Sequence, residues 1–323
     1  MIARALWSVA PGRAELREEA LPARAPDQAL VRTRVTGISR GTERLVLQGR
    51  VPESQYPVMR APLMGGDFPF PVKYGYSAVG VVEAGALEGQ RVFCLHPHQD
   101  RFLAPASMCI PIPDAVPDAR AALAANMETA VNILWDARPL AGERVLVIGA
   151  GVVGLLAAYL IAQIPGTEVV VTDIDASRRA LAEALGAGFT APEEAPGERD
   201  LIIHASAAPA GLRHALSLCA FEARIVEASW FGDRECPLPL GEAFHARRLS
   251  IISTQVGAVA PAMRGRRSHG ERLALALALL SDPRLDALVG PETAFEDLPA
   301  AYAGLLDSAP GAPAPLCPIV TYR

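Results

Sequence analysis

Along this chain the hydrophobic positions change their period twice. From residue 1 to about 123 they alternate with polar ones or come in short bursts. Leu30 to Val35 sets the pattern: Val31, Thr33 and Val35 fall on one side of an extended chain, Arg32 and Arg34 on the other. Turn signals recur at Pro11-Gly12, Pro26-Asp27 and Gly85, and further strands are predicted at Tyr76 to Ala84 and Arg91 to Leu95. Short strands joined by Gly/Pro turns predict a small, β-rich, barrel-like domain. A proline- and glycine-rich stretch, Val51 to Val72, interrupts it and carries Tyr56, Phe68 and Phe70. A loop of that length in a compact domain is usually functional or mobile, so it is read as a lid or wall of a substrate pocket, against the alternative of an idle surface insertion.

Ala119 to Ala137 reads as a bridging helix, and beyond it strands and helices alternate. Strands are predicted at Val145–Ile148, Val169–Thr172, Leu201–His204, Arg224–Glu227 and Leu249–Ile252, with helices at Leu155–Ala162, Ala176–Leu185 and Leu212–Cys219 between them. Uninterrupted apolar strands separated by helices predict a doubly wound parallel sheet. After Pro261 come a short basic loop (Arg264-Gly265-Arg266-Arg267), a helix at Glu271–Leu280 and a last apolar strand at Leu316–Val320. The expected organisation is a β-rich domain over 1–123, a Rossmann domain over 124–268 and a tail over 269–323 that returns to the first.

Within the alternating region one stretch carries chemistry. Val145 to Ile148 runs into Gly149-Ala150-Gly151-Val152-Val153-Gly154, a G-x-G-x-x-G, then into a helix that stops at Pro165-Gly166. The next strand ends on Asp173, close to the ~20-residue interval expected after such a loop. The first glycine permits the tight turn, the second lets backbone approach a pyrophosphate, and the third lets helix and sheet pack closely. The helix start offers N–H groups and the positive end of a dipole to phosphate. The acid accepts hydrogen bonds from ribose hydroxyls and repels a 2′-phosphate, which favours NAD over NADP. Arg178 and Arg179 follow. Arg178 is a candidate cofactor contact that would soften this preference, and its other reading is a solvated helix position.

Composition narrows the rest. The chain has 323 residues, 51% of them hydrophobic, and a net charge of −5 without a long basic run, which argues against nucleic acid or an anionic membrane as partner. Met1-Ile2-Ala3-Arg4 has no signal architecture and no apolar stretch approaches the ~18 residues of a membrane span, so a cytoplasmic enzyme with a small-molecule substrate is expected. Five scattered cysteines (Cys94, Cys109, Cys219, Cys236, Cys317) form no C-x-x-C, and reduced, mostly buried thiols are the default. Of the 30 basic residues only Lys73 is lysine, which suggests a position where guanidinium will not substitute, or the chance survival of one surface lysine.

A β-rich front, a Rossmann middle and a returning tail resemble the medium-chain dehydrogenase/reductase superfamily. The resemblance shows in Gly37-Ile38-Ser39, in Gly75-Tyr76-Ser77-Ala78-Val79-Gly80-Val81-Val82, in Gly89-Gln90-Arg91-Val92 and in the dinucleotide loop. The run from Gly37 to Arg44 together with Gly75-Tyr76 resembles the branch that includes bacteriochlorophyllide hydroxyethyl dehydrogenases. The resemblance implies a GroES-like domain joined to a Rossmann domain, NAD(P)-linked interconversion of alcohol and carbonyl, and a homodimer or homotetramer. It implies that Arg40 contacts the cofactor pyrophosphate and that Thr129 lies near the nicotinamide.

The departures from that pattern are informative. Where zinc-dependent members carry cysteine, histidine and glutamate, this chain has Ser39, Tyr76 and Ser77; a third ligand would fall near Asn126, and the four-cysteine structural loop is absent. Hydroxyl, phenol and amide make a poor zinc shell, so neither a catalytic nor a structural zinc is expected. Cys94, His96, His98 and Asp100 would share a face on a strand and so allow a metal, but Pro97 breaks that strand. A polar strand end is the better reading. Without metal, a proton donor must neutralise the developing alkoxide. Tyr76 is the candidate donor, with Lys73, three residues earlier, lowering its pKa, and Ser39 orienting the substrate. The alternatives are that Tyr76 only fills vacated space and that Lys73 faces an anionic substrate group. Glu43 and Glu128 could join a proton relay, Glu128 reading better as a helix-surface charge. Two other functions remain open: NADPH-linked reduction of quinone or enone C=C bonds, and a non-catalytic dinucleotide-binding protein.

Overall fold

A computed structural model describes residues 1–307 and 315–323. They form two compact units, Met1–Ala125 with Leu273–Arg323, and Asn126–Arg272.

The first unit is mostly antiparallel β-structure. Its N-terminal strands are β1 (Ile2–Ala10), β2 (Arg13–Ala20), β3 (Gln28–Gly37), β4 (Gly65–Gly66), β5 (Val72–Lys73), β6 (Ala78–Ala84), β7 (Arg91–Cys94), β8 (Arg101–Pro105) and β9 (Ile110–Pro111). The alternation in β3 works as predicted: Val31 and Thr33 are buried while Arg32 and Arg34 are exposed. Against β6 and β8 it closes a core of Ala29, Val31, Ala78, Val82, Val92 and Phe102. Helix α1 (Arg40–Leu47) follows β3 and buries Leu45, Val46 and Leu47. The short α2 (Asp118–Ala121) precedes α3 (Ala124–Ala137), so the single helix expected over Ala119–Ala137 is two, separated where Leu123 N donates to Arg120 O in an i→i+3 turn.

In the second unit, six strands run parallel. These are β10 (Arg144–Ile148), β11 (Glu168–Thr172), β12 (Gly188–Thr190), β13 (Arg199–His204), β14 (Cys219–Glu227) and β15 (Ser250–Ser253), with the intervening helices α4 (Val152–Ile161), α5 (Arg179–Ala184) and α6 (Pro209–Leu218). The sheet order is β12-β11-β10-β13-β14-β15. Strand order reverses between β10 and β13, and open α/β sheets bind ligands outside the carboxyl ends of their strands at such a point. Leu146, Ile202 and Ile225 are fully buried beneath Leu212, Ala215 and Leu216 of α6, as expected for strands covered on both faces.

The chain then forms α7 (His269–Leu279), β16 (Val289–Ala294), α8 (Leu298–Leu306) and β17 (Cys317–Thr321). Strand β17 pairs antiparallel with β3, Ile319 opposite Gly37. Leu298, Tyr302 and Leu306 of α8 pack with Leu6, Ile38 and Leu47. Strands β1 and β2 and helix α8 were not foreseen. In β2, Glu and Arg occupy both faces, so its apolar alternation is faint although it pairs with β1 over its whole length. Among the described residues no helix is long and apolar enough to cross a membrane.

Candidate functional site

The glycine-rich loop of the second unit is shaped by close approaches. Gly149 follows β10 with φ of +109°, and a Cβ there would lie 2.8 Å from Ser206 N. A Cβ at Gly154 would lie 2.0 Å from Gly149 O, so only glycine lets α4 start this near the strand. Gly151 is different, since its Cβ would meet nothing within 4 Å: the space over it is open. It is the N-cap of α4 and no side chain caps the helix, so the turn through Val152 and Val153 presents backbone N–H groups where an anion fits.

Asp173 lies beyond the end of β11. Its Oδ2 accepts from Ala150 N at 2.6 Å and its Oδ1 from Asp175 N at 2.9 Å, so the carboxylate also braces the loop. Beside it Ile174 is 93% exposed, an apolar surface that periodicity did not mark because the residue falls in a turn. Arg178 ion-pairs with Asp175 at 3.1 Å, which offsets the charge that was to soften the preference for NAD. Thr129 is half-buried on α3. Glu128 is not a surface charge: it is buried against Arg272 at 3.0 Å, and burial raises its pKa despite that partner.

The first unit gathers hydroxyls around one carboxylate. Tyr76 OH donates to Ser39 Oγ at 2.6 Å. Ser39 is the N-cap of α1 but does not cap with its side chain. Glu43, one turn on, accepts from Ser39 N at 2.7 Å and so ties the start of α1 to its carboxylate, while the Ser39 hydroxyl is engaged by Tyr76. Glu43 is fully buried, and its other oxygen accepts from Tyr302 OH at 2.6 Å and from His98 Nε2 at 3.0 Å. A carboxylate only accepts, which assigns the His98 proton to Nε2 and makes Nδ1 the acceptor for Thr36 Oγ1 at 2.6 Å. Burial, then the nearby Glu43 charge, pushes the Tyr76 phenol up to about 12, against the hydrogen bonds of Ser39 and Thr42. Tyr56, Phe68, Tyr74 and Tyr76 follow one another at ring-centroid distances of 5.5, 5.8 and 6.0 Å, so the aromatic stretch leads to the phenol.

Two residues with expected contacts have other partners here. Lys73 does not tune Tyr76: its Nζ donates to Glu19 Oε2 at 2.6 Å and Gln99 Oε1 at 2.9 Å, and lies 5.9 Å from the Trp7 ring centroid. The phenol is consequently raised rather than lowered. Gly75, with φ of +121°, turns the chain between the two residues, which is why sequence proximity misled. Arg40 spends its guanidinium on the carboxyl end of α8 and just beyond, donating to Leu305 O at 2.8 Å, Leu306 O at 3.0 Å and Pro315 O at 3.0 Å. The Leu305 and Leu306 carbonyls carry the negative end of the helix dipole, which favours a cation there.

The residues at the zinc-ligand positions do not fit zinc. Ser39 and Tyr76 are hydroxyls bonded to each other, and neither belongs to the thiolate, imidazole and carboxylate set that zinc takes. The alternate-position set diverges as well. His96 stacks on Phe102 at 3.8 Å, with burial lowering its pKa to about 3; His98 faces Glu43 and Thr36, and Asp100 accepts from Arg4 N. Among the described residues, no group of three His, Cys, Asp or Glu side chains could hold a metal ion. All five cysteines are free thiols.

No family model matches the chain. It is 42% identical over 84 residues to an L-threonine 3-dehydrogenase of Rhizobium rhizogenes, covering 25% of this chain and 24% of that one. It is 28% identical over 218 residues to the sorbitol dehydrogenase of Ovis aries, covering 55% and 57%. The chain thus matches about a quarter of the length of the first relative and little more than half of the second. A crystal structure of a putative zinc-binding dehydrogenase from Sinorhizobium meliloti bound to NADP superposes with a TM-score of 0.79 at 19% identity, covering 99% of both chains. The fold is that of an α/β dehydrogenase with a β-rich partner unit. The matched stretches and the shared fold make the chain similar to dehydrogenases of this kind.

Proposed function

We propose that the protein is a zinc-independent, NAD(H)-dependent oxidoreductase that interconverts an alcohol and a carbonyl. The observation that carries this reading is the Tyr76–Ser39 hydrogen bond of 2.6 Å at the two positions where zinc ligands would stand. Gly149, Gly151, Val152, Val153, Gly154 and Asp173 would hold the dinucleotide, Thr129 would line its nicotinamide end, and Ile174 offers its base an apolar face. A nicotinamide held there would supply the hydride chemistry. Asp173 supports NAD over NADP, because a carboxylate beside the ribose hydroxyls repels a 2′-phosphate.

The chain's own residues manage the proton. Ser39 Oγ accepts from Tyr76, which leaves the serine proton to point at a substrate oxygen. During reduction that oxygen becomes an alkoxide, with a basicity near that of hydroxide. A phenol at about 12 is a stronger acid than the conjugate acid of such a base, so a proton passed from Tyr76 through Ser39 runs downhill. Glu43 holds Ser39 by its backbone and keeps the hydroxyl available. The aromatic series from Tyr56 to Tyr76 favours a substrate with a bulky apolar body. A homodimer or homotetramer in the cytoplasm belongs to the same reading, supported by β15, which leaves one sheet edge without a neighbouring strand among the described residues.

The test is Tyr76→Phe, assayed for NADH-linked reduction of aromatic aldehydes and ketones. Loss of a general acid lowers kcat by ~10²–10⁴-fold and leaves the NADH Kd unchanged. In the unmodified protein kcat for reduction should be level from pH 6 to 9, because a phenol at about 12 stays protonated there. Unchanged turnover in Tyr76→Phe would retire the proton-donor role. NADH binding without turnover of any alcohol, aldehyde or ketone would favour a non-catalytic dinucleotide-binding protein.

A further inference from the structure

A second buried polar cluster lies at the carboxyl edge of the parallel sheet, beside the glycine-rich loop. His204, the last residue of β13, is fully buried. Its Nδ1 is 2.7 Å from Glu227 Oε2 at the end of β14, and its Nε2 is 2.8 Å from Ser206 Oγ. Glu227 uses its other oxygen to accept from Ser229 N at 2.7 Å. The Ser229 hydroxyl accepts from Ala207 N at 3.0 Å, which ties the two post-strand loops together. Serine, histidine and glutamate thus stand in the order of a catalytic triad. Acyl chemistry is nonetheless a poor fit, because Ala207 N, the donor an oxyanion would need after the nucleophile, is already committed to Ser229.

The cluster does one thing unambiguously: it sets the direction of a hydroxyl. Glu227 is acceptor-only, so the proton between it and His204 belongs to Nδ1. The neutral ring is then an acceptor at Nε2. Ser206 must therefore donate its proton to Nε2. Its oxygen receives only a long 3.3 Å contact from Ala208 N and so keeps acceptor capacity. Ser206 is partly exposed, and its backbone N is the atom that a Cβ on Gly149 would strike.

We infer that Ser206 is a cofactor-binding residue whose oxygen accepts a hydrogen bond from the second nucleoside of the dinucleotide, with His204 and Glu227 as positioning residues that fix its polarity. Strand order places it there. Asp173 at β11 faces the adenosine ribose, the glycine turn after β10 faces the pyrophosphate, and β13 is the next strand across the sheet, ~4.8 Å further on. The donor is a ribose hydroxyl or the carboxamide amine. This inference rests on the dinucleotide reading above and extends it to residues that no glycine motif marks.

The experiment is calorimetric titration of the full chain with ADP, ADP-ribose and NADH. Ser206→Ala should weaken NADH ~5–20-fold, the worth of one hydrogen bond, and leave ADP within twofold. His204→Phe should weaken NADH by the same factor. The double variant should be no worse than either single one, because both changes act through one hydroxyl. An ADP-ribose loss matching that of NADH assigns the donor to the ribose, and an unchanged ADP-ribose affinity assigns it to the carboxamide. The inference is overturned if Ser206→Ala binds NADH within twofold of the unmodified chain, or if ADP weakens as much as NADH. An unmodified chain that binds neither ADP nor NADH would instead overturn the dinucleotide reading itself. Should His204→Phe fail to fold, Ser206→Ala with the three ligands still decides.

Discussion

The glycine-rich loop and the Tyr76–Ser39 cluster are assembled over very different distances along the chain. The bond that braces the loop, Ala150 N to Asp173, joins residues 23 apart. The bonds to Glu43 reach 55 residues to His98 and 259 to Tyr302. A local device is enforced by backbone sterics, so it tolerates little change at its glycines. The distributed one relies on a single buried carboxylate that holds three donors in register, so its weakness is that carboxylate.

That contrast can be broken most forcefully in the loop. Gly154→Val puts side-chain atoms where Gly149 O stands, 2.0 Å from the Cβ position, and NADH affinity should fall on the order of 100-fold or more by fluorescence titration. Glu43→Gln tests the other region and should act more gently on binding. An amide has one acceptor where Glu43 uses two oxygens, so at least one buried donor is stranded at ~1–3 kcal/mol. The melting temperature should drop by roughly 2–10 °C and kcat by about 10-fold, with NADH affinity unchanged. Lys73→Met should be the mildest for chemistry: kcat should change less than ~3-fold and its pH profile should not move, while stability falls by ~1 kcal/mol as Glu19 and Gln99 lose their partner. A shift of the pH profile in that variant would restore Lys73 to the catalytic group.

The same contrast explains what could be read in the sequence. Both fold classes, the parallel strands and the loop from Gly149 to Asp173 were legible because period and turn chemistry are local properties. Ser39 and Tyr76 were paired only through a family resemblance, and nothing in their spacing of 37 residues announces a 2.6 Å contact. The hub could not be seen at all: Tyr302 lies on a helix that no prediction included, and Glu43 resembles any helix glutamate until its burial is known. The partners of Lys73 and Arg40 were hidden for a related reason. A long cation finds the best acceptor within reach, and that acceptor was Glu19 for one and the end of α8 for the other. His204, Ser206 and Glu227 were hidden because they close a cluster across adjacent parallel strands, where register cannot be inferred from a single sequence.

The measurement that bears most directly on a protein hydroxyl doing the work of a cation is turnover of the chelator-dialysed protein, with metal content determined on the same sample. The account predicts full NADH-linked activity with no stoichiometric metal and no gain on adding zinc. Activity that disappears with the metal and returns with zinc would contradict it.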